Sequence, residues 1–281
     1  MTHLARCSYG VVLYILTVCL LFSVTSVFAE TPKRIISLAP NVTEILFALG
    51  LDDSVVGVTS FCDYPEAAKD KPKVGGMSNP SLERVVLLKP DLVIMTTDGN
   101  PKVFAERLGS FRIPIYVFRA RTLSELPRGI RDLGSALGVR EKADLLAQEL
   151  ESSLNNLSRF SLHASRKEKV LFIIWPEPLI VAGPGTAIDD AITLLGHHNI
   201  AAESRSSYPK YSIEETILQS PDIIFIGKGH ADIREMSKGL LKKLSRVPAV
   251  KNHRVFFLSD NLYRLGPRII YGIEEMAACL K

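Results

Sequence analysis

The sequence predicts an α/β protein of two similar lobes, each a mostly parallel sheet with flanking helices, joined by one long α-helix. Three observations carry that expectation: a gapless internal repeat, an alternation of short apolar runs with helical patterns, and a one-faced helical stretch between the two copies. The repeat aligns Ser81–Ile94 on Ser212–Phe225, with Ser81/Ser212, Glu83/Glu214, Leu87/Leu218, Pro90/Pro221 and Asp91/Asp222 identical in place. Upstream, Tyr64-Pro65 precedes the first copy and Tyr208-Pro209 the second. Earlier still, each half runs from an apolar strand to a helix ending in Leu-Gly, over Arg34–Gly50 and Lys169–Gly196. Three landmarks in the same order argue for one lobe built twice.

In the first lobe, strands are expected at Arg34–Leu38, Val55–Val58, Asp91–Thr96 and Ile113–Phe118, and helices at Thr43–Leu49 and Ser81–Leu88. In the second, strands are expected at Lys169–Trp175, Ile200–Ala202, Asp222–Ile226 and Arg254–Leu258, with helices near Ala187–Leu195 and Ser212–Gln219. Strands alternating with helices give a mostly parallel sheet covered on both faces. Between the lobes, Glu141–Arg159 places Ala143, Leu146, Leu150, Leu154 and Leu157 on one helical face. About 20 helical residues reach roughly 30 Å, enough to cross between lobes as a strut. Pro and Gly are sparse there, so small closure motions are expected rather than large ones.

The N-terminus reads as an export signal. Met1–Gly10 holds one Arg and no acid, Val11–Val24 is almost unbroken in apolar residues, and Val27-Phe28-Ala29 ends in a small residue before Glu30. A membrane span needs about 20 apolar residues, and polar residues interrupt this run from Ser23 onward. The expected organisation is therefore a cleavable signal peptide at 1–29, an N-terminal lobe at 30–137, a linking helix at 138–166 and a C-terminal lobe at 167–281. Cys7 and Cys19 leave with the signal. Cys62 and Cys279 stay in an oxidising compartment, where two separate thiols are the default and a disulfide would tie the lobes together.

Composition excludes several classes. With 281 residues, 47% hydrophobic and 23% charged, the chain is neither disordered nor collagen-like. Its net charge of +4 is scattered rather than gathered into a stripe, which argues against a nucleic-acid partner. Catalytic motifs are missing. Gly76-Met77-Ser78-Asn79-Pro80 begins like a nucleophile elbow but ends in Pro, and no H-E-x-x-H, zinc-spaced Cys pair or phosphate-binding loop occurs. Gly183-Pro184-Gly185 lacks the third Gly of a dinucleotide fingerprint. His197-His198 follows a helix end, where a cation suits the helix dipole, and adjacent side chains cannot easily grip one ion. No enzyme, resident cofactor or metal site is expected.

Three segments together resemble the periplasmic substrate-binding proteins of ABC importers, in the class whose lobes are joined by one long helix and which serves cobalamin, haem and ferric siderophores. They are Arg34-Ile35-Ile36-Ser37-Leu38-Ala39-Pro40-Asn41-Val42-Thr43-Glu44, Leu82-Glu83-Arg84 with Leu88-Lys89-Pro90-Asp91-Leu92-Val93, and Gly266-Pro267-Arg268. Asp63-Tyr64-Pro65, Ser259-Asp260 and Arg264–Ile270 are most similar to the cobalamin-binding branch. Thr96 and Gly75-Gly76 stand where that branch carries further tryptophans, which leaves siderophore or haem open. The resemblance implies a monomeric periplasmic receptor that takes a corrinoid between its lobes and delivers it to a dimeric permease with its ATPase subunits. It places Tyr64, Trp175, Tyr208 and Asp260 at the cleft. A corrin presents an apolar face for Tyr and Trp to cover, and an amide rim for polar partners such as Asp260 and Asn41. Arg264 and Arg268 either clamp an acidic siderophore or haem propionate, or cap and solvate the helix after Pro267. Trp175, next to Pro176 at a strand end, is read equally as packing or as a ligand contact, whereas Tyr64 and Tyr208, each before Pro at matching points of facing lobes, are read as ligand contacts.

Glu83 and Glu214 each lie two residues beyond a Ser suited to cap a helix, where a negative charge meets the partial positive charge of the helix start. The resemblance implies more, because in this family the matching acids dock onto arginines of the permease, one per lobe.

Overall fold

The computed structural model describes residues 32–97, 99–159, 166–228 and 232–280. The expected signal peptide at 1–29 lies outside the described residues, as do residues 160–165 of the linking segment. The first half contains β1 (Ile35–Ser37), α1 (Pro40–Ala48), β2 (Val55–Val58), α2 (Leu82–Leu87), β3 (Leu92–Thr96), α3 (Lys102–Ser110), β4 (Ile115–Phe118) and α4 (Leu126–Ala136). Helix α5 (Arg140–Ser158) follows. The second half contains β5 (Lys169–Pro176), β6 (Leu179–Val181), α6 (Ala187–Leu194), β7 (His198–Asn199), α7 (Ile213–Gln219), β8 (Ile223–Gly227), α8 (Ile233–Lys243), α9 (Pro248–Lys251), β9 (Val255–Leu258) and α10 (Ile269–Ala278).

The first sheet runs β2-β1-β3-β4 and all its pairings are parallel. In the second, β5 pairs in parallel with β8, β8 with β9, and the start of β5 with β7. The two sheets therefore share one strand order, with β5, β7, β8 and β9 standing for β1, β2, β3 and β4. The addition is β6, which runs antiparallel beside the end of β5, with Trp175 paired to Ile180 and Pro176 to Leu179. Its three residues, directly after Pro178, were too short a run to read from pattern.

The repeat earns its identities in equivalent bonds. The Asp91 carboxylate accepts from the backbone N–H groups of Lys33 and Arg34 at 3.0 Å each, while Asp222 accepts from Lys169 N–H at 2.9 Å. Each aspartate thus ties the start of one central strand to the start of the next. The Arg34 guanidinium donates to the carbonyls of Leu88 and Lys89 at the end of α2, and Lys169 Nζ donates to the Gln219 carbonyl at the end of α7. Cations there also suit the helix dipole. Replacing either aspartate with alanine should cost about 1–3 kcal/mol, since it orphans backbone donors held by a charged acceptor. Urea unfolding of Asp91→Ala and Asp222→Ala should show similar losses, and a loss at only one position would break the equivalence.

Side chains alternate along the buried strands. On β5, Val170 and Phe172 join the inner core while Leu171 and Ile173 join the outer one; on β8, Ile223 and Phe225 point in and Ile224 and Ile226 out. On β1, Ile35 belongs to the inner core and Ile36 to the first sheet's own outer cluster. The inner core is continuous across both halves, from Ile35 and Phe118 through Ala143, Ala147 and Leu150 of α5 to Phe172, Ile269 and Met276. Helix α5 is therefore packed into the core along its apolar face, and Leu145 on its other side is exposed. Arg131 of α4 grips Glu151 of α5 with two bonds of 2.6 and 2.8 Å.

Two elements depart from the sequence reading by more than two residues at one end. Helix α1 starts at Pro40 rather than Thr43, because Pro is pre-set for the first helical position and has no N–H to orphan. The strand expected at Ile200–Ala202 is instead His198–Asn199. Asn199 turns the chain, its Oδ1 accepting from Ala201 N–H while its amide holds the Ala182 carbonyl and the Asp189 carboxylate. The Leu-Gly helix ends hold in both halves, with Gly50 and Gly196 at φ of 68° and 84°, a conformation glycine adopts without strain. Cys62 and Cys279 are separate thiols, Cys62 buried against the hydroxyls of Thr43 and Thr59. No described helix is long and apolar enough to cross a membrane.

Candidate functional site

Ligands of parallel α/β sheets bind beyond the carboxyl ends of the strands, and a cleft lies there. Its cavity of about 490 Å³ is walled by Pro40 and Asn41 after β1, Thr96 and Thr97 at the end of β3, and Ala120 and Arg121 after β4. From the other half come Ala187 and Ile188 at the start of α6, Tyr208, and the segment Asp260–Leu265 after β9, except Asn261. Phe61, Met77, Leu262 and Tyr263 make the wall largely apolar. Asn100 braces the first half of the wall: its amide donates to the carbonyls of Leu38 and Met77 at 3.0 and 2.8 Å, and its Oδ1 accepts from Thr96 N–H at 2.8 Å.

Beside the cavity, an ion cluster stitches the halves together. Glu44 on α1 has a side chain only 1% exposed, yet it holds two arginines from across the cleft. Arg268 donates to it through Nε at 3.0 Å and a terminal nitrogen at 2.7 Å, and Arg264 donates at 3.3 Å. Arg264 also pairs bidentately with Asp63 and lies 3.0 Å from Asp260. Burial works against its charge, but the bond to Asp63 and the fields of Asp260, Asp63 and Glu44 outweigh it and raise its pKa. The same bond to Arg264 holds the Asp63 carboxyl below the usual carboxylate range. Asn41 adds a neutral tie, donating to the Leu265 carbonyl at 3.3 Å.

The expected ligand residues divide. Asn41, Tyr208, Asp260 and Arg264 line the cavity, with Tyr208 55% exposed. Tyr64 and Trp175 are not among its lining. The Tyr64 ring lies under the Arg268 guanidinium at 4.0 Å. Trp175 packs with the second half's outer cluster and donates its indole N–H to the Glu177 carbonyl at 2.7 Å. Residues 65–80 separate Tyr64 from Ser81 but only residues 209–211 separate Tyr208 from Ser212, so the two tyrosines stand at unequal distances from the repeat. Arg268 occupies the N-cap position of α10, but its side chain makes no capping bond; the buried Glu44 takes it.

Sequence reasoning missed Tyr263 and Glu44. The Tyr263 ring packs edge-on against Phe172, and its hydroxyl fills the space a side chain at Gly227 would need. Burial pushes its phenol pKa up. A glycine closing the apolar run of β8 was the one local sign of that close approach.

Glu83 and Glu214 are exposed, each on the first turn of its helix. Ser81 and Ser212 cap those helices, accepting from the N–H groups of Arg84 at 3.3 Å and Glu215 at 2.9 Å. His197 is buried and neutral in tendency: burial lowers its pKa, and its Nδ1 accepts from Glu168 N–H at 3.3 Å. Among the described residues, no group of three or more His, Cys, Asp or Glu side chains is arranged to hold a metal ion.

Comparison with known proteins places this geometry. A family profile described as periplasmic binding protein matches residues 35–262. A vitamin B12-binding protein of Vibrio campbellii is 34% identical over 259 residues, covering 92% of each chain. Among solved structures, the periplasmic vitamin B12 binding protein of Vibrio cholerae matches with a TM-score of 0.77 at 29% identity, covering 89% of this chain and 97% of that one. A periplasmic haem-binding protein from Roseiflexus matches with a TM-score of 0.81 at 28% identity, covering 88% of this chain and 97% of that one.

Proposed function

The chain belongs to the periplasmic binding protein family, and on that premise we propose that it is exported to the periplasm, captures cobalamin between its lobes and delivers it to an ABC importer. The observation that favours cobalamin within the class is the neutralised cleft. Arg264 and Arg268, the cations the sequence offered for an acidic ligand, are both committed to carboxylates. What remains is an apolar wall for a corrin face, with Thr96, Thr97 and Asp260 near it for amides of the rim. Haem or a ferric siderophore is the second reading, and Arg121 in the cleft wall is the group its acidic substituents would meet.

Mixing the purified chain with cyanocobalamin, haemin or a ferric siderophore, followed by gel filtration, tests the choice. Corrinoid absorbance should travel with the protein, and co-elution of haemin or siderophore alone would overturn cobalamin. Tyr208→Ala should weaken cyanocobalamin binding by about 1–3 kcal/mol, the value of a well-buried ring. Tyr64→Ala, outside the cavity, should change it far less. Equal losses at the two tyrosines in a titration would move the ligand toward the rim. Glu83 and Glu214 serve a separate surface in this reading, where they dock the receptor on its permease.

A further inference from the structure

The two most exposed of the large apolar side chains among the described residues are Leu87, at 79%, and Leu218, at 77%. Single exposed leucines are ordinary and call for no function. These two occupy the same position of the internal repeat, and each lies four residues after its lobe's exposed glutamate, Glu83 or Glu214. On a helix, residues four apart are neighbours on one face. The rest of the helix repeats too. Val85 and Thr216, again equivalent, are the buried residues that anchor α2 and α7. The two helices are therefore seated alike, and the face each turns to solvent carries an acid followed by a leucine. Of the other charged side chains on these helices, Arg84 donates to the Lys73 carbonyl at 3.1 Å, and Glu215 accepts from the Gln219 amide at 3.0 Å.

We infer that Leu87 and Leu218 are apolar anchors of the docking surface, each entering a hydrophobic pocket beside the basic group that receives the neighbouring glutamate, one pocket in each half of a two-fold symmetric permease. The inference rests on the docking role proposed for the glutamates and gives their surface its second component. A second copy of this chain does not fit the patch, because it would set acid against acid. An anionic lipid surface would repel the two acids. A paired basic and apolar partner, repeated twice, is what the two faces complement. The division of labour follows from the physics of association. Long-range charge governs the encounter rate and its salt dependence, whereas buried apolar contact governs how long the complex lasts.

The test measures association of the full chain with its own importer complex, purified and held in nanodiscs, at low and high salt. The double variant Leu87→Ser/Leu218→Ser should dissociate about 10–100-fold faster, with association rate, salt dependence and cyanocobalamin capture unchanged. The double variant Glu83→Gln/Glu214→Gln should instead associate more slowly and lose salt dependence. A dissociation rate within twofold of wild type for the leucine pair overturns the inference while leaving the glutamate docking in place. If neither pair alters association or dissociation, the docking reading itself falls. If only the leucine pair does, the anchors stand and the electrostatic half falls. A leucine variant that weakens cyanocobalamin capture to the same degree also overturns the inference, since the residues would then be acting through the fold.

Discussion

Replacing Glu44 with alanine is expected to cost about 3–5 kcal/mol, because it removes one partner of a buried ion pair and leaves the other charge behind. Arg268, whose side chain is 15% exposed, would lose both bonds to its carboxylate, while Arg264 would keep Asp63 and Asp260. In a chain of this size the loss corresponds to a fall of roughly 10 °C in Tm. The pair is more costly to break than to replace, so Glu44→Met combined with Arg268→Met should recover most of the loss. Thermal unfolding of the single and double variants checks both statements. A single-variant loss under about 1 kcal/mol would mean that the pair behaves as a solvent-exposed one. Acid should loosen the same junction. Asp63 has its pKa lowered by Arg264, so its contribution is complete above the ordinary carboxylate pKa and is lost as pH falls through the depressed one.

That junction explains why the sequence disclosed the fold better than the site. The repeat, the Leu-Gly helix ends and the one-faced run from Ala143 to Leu157 are local signals, and each corresponds to a local fact of backbone or packing. Glu44 carries no such signal. Within its own helix it is an acid followed by apolar residues, and only the approach of Arg264 and Arg268, more than two hundred residues later, makes its burial possible. Arg268 was misread for the same reason: its sequence neighbours suggest a solvated helix start, while its partner lies in the other half. The role of Trp175 was left open for a different reason. The aromatic was visible, but its use depended on β6, three residues whose pairing with β5 covers that edge of the sheet. Residue type alone indicates capacity for a ligand contact, whereas the cavity is defined by which loops meet.

The shared core bears on how the cleft works. Residues of both sheets and of α5 belong to one continuous buried cluster, so the lobes cannot separate widely without exposing it. The Glu44 cluster and the Asn41 bond to the Leu265 carbonyl tie the halves again at the cleft's edge. A receptor so braced presents its two exposed helices at a nearly fixed spacing. Such rigidity suits a partner with two matching sites, because little ordering cost is left to bind them together.

Reversing both exposed acids, Glu83→Lys with Glu214→Lys, is accordingly expected to abolish ligand uptake while leaving cyanocobalamin affinity nearly intact. Each side chain is exposed and outside the cleft lining, so the local cost to the fold is confined to its favourable position at a helix start, about 0.3–1 kcal/mol each. Docking should suffer far more. Where each acid would meet a cation of the permease, reversal sets like charges against each other at two points held at fixed spacing, and such juxtaposition costs several kcal/mol. Because the points act through one rigid body, losing both should exceed the sum expected of independent contacts, and each single reversal should leave measurable uptake. Uptake of labelled cyanocobalamin in cells lacking the native receptor, alongside equilibrium titration of the purified variants, reads the two effects separately. Wild-type uptake by the double variant would remove the acids from docking. Loss of cyanocobalamin binding in the titration would show instead that the helices bearing them support the cleft, and that capture and delivery are not separated in this receptor.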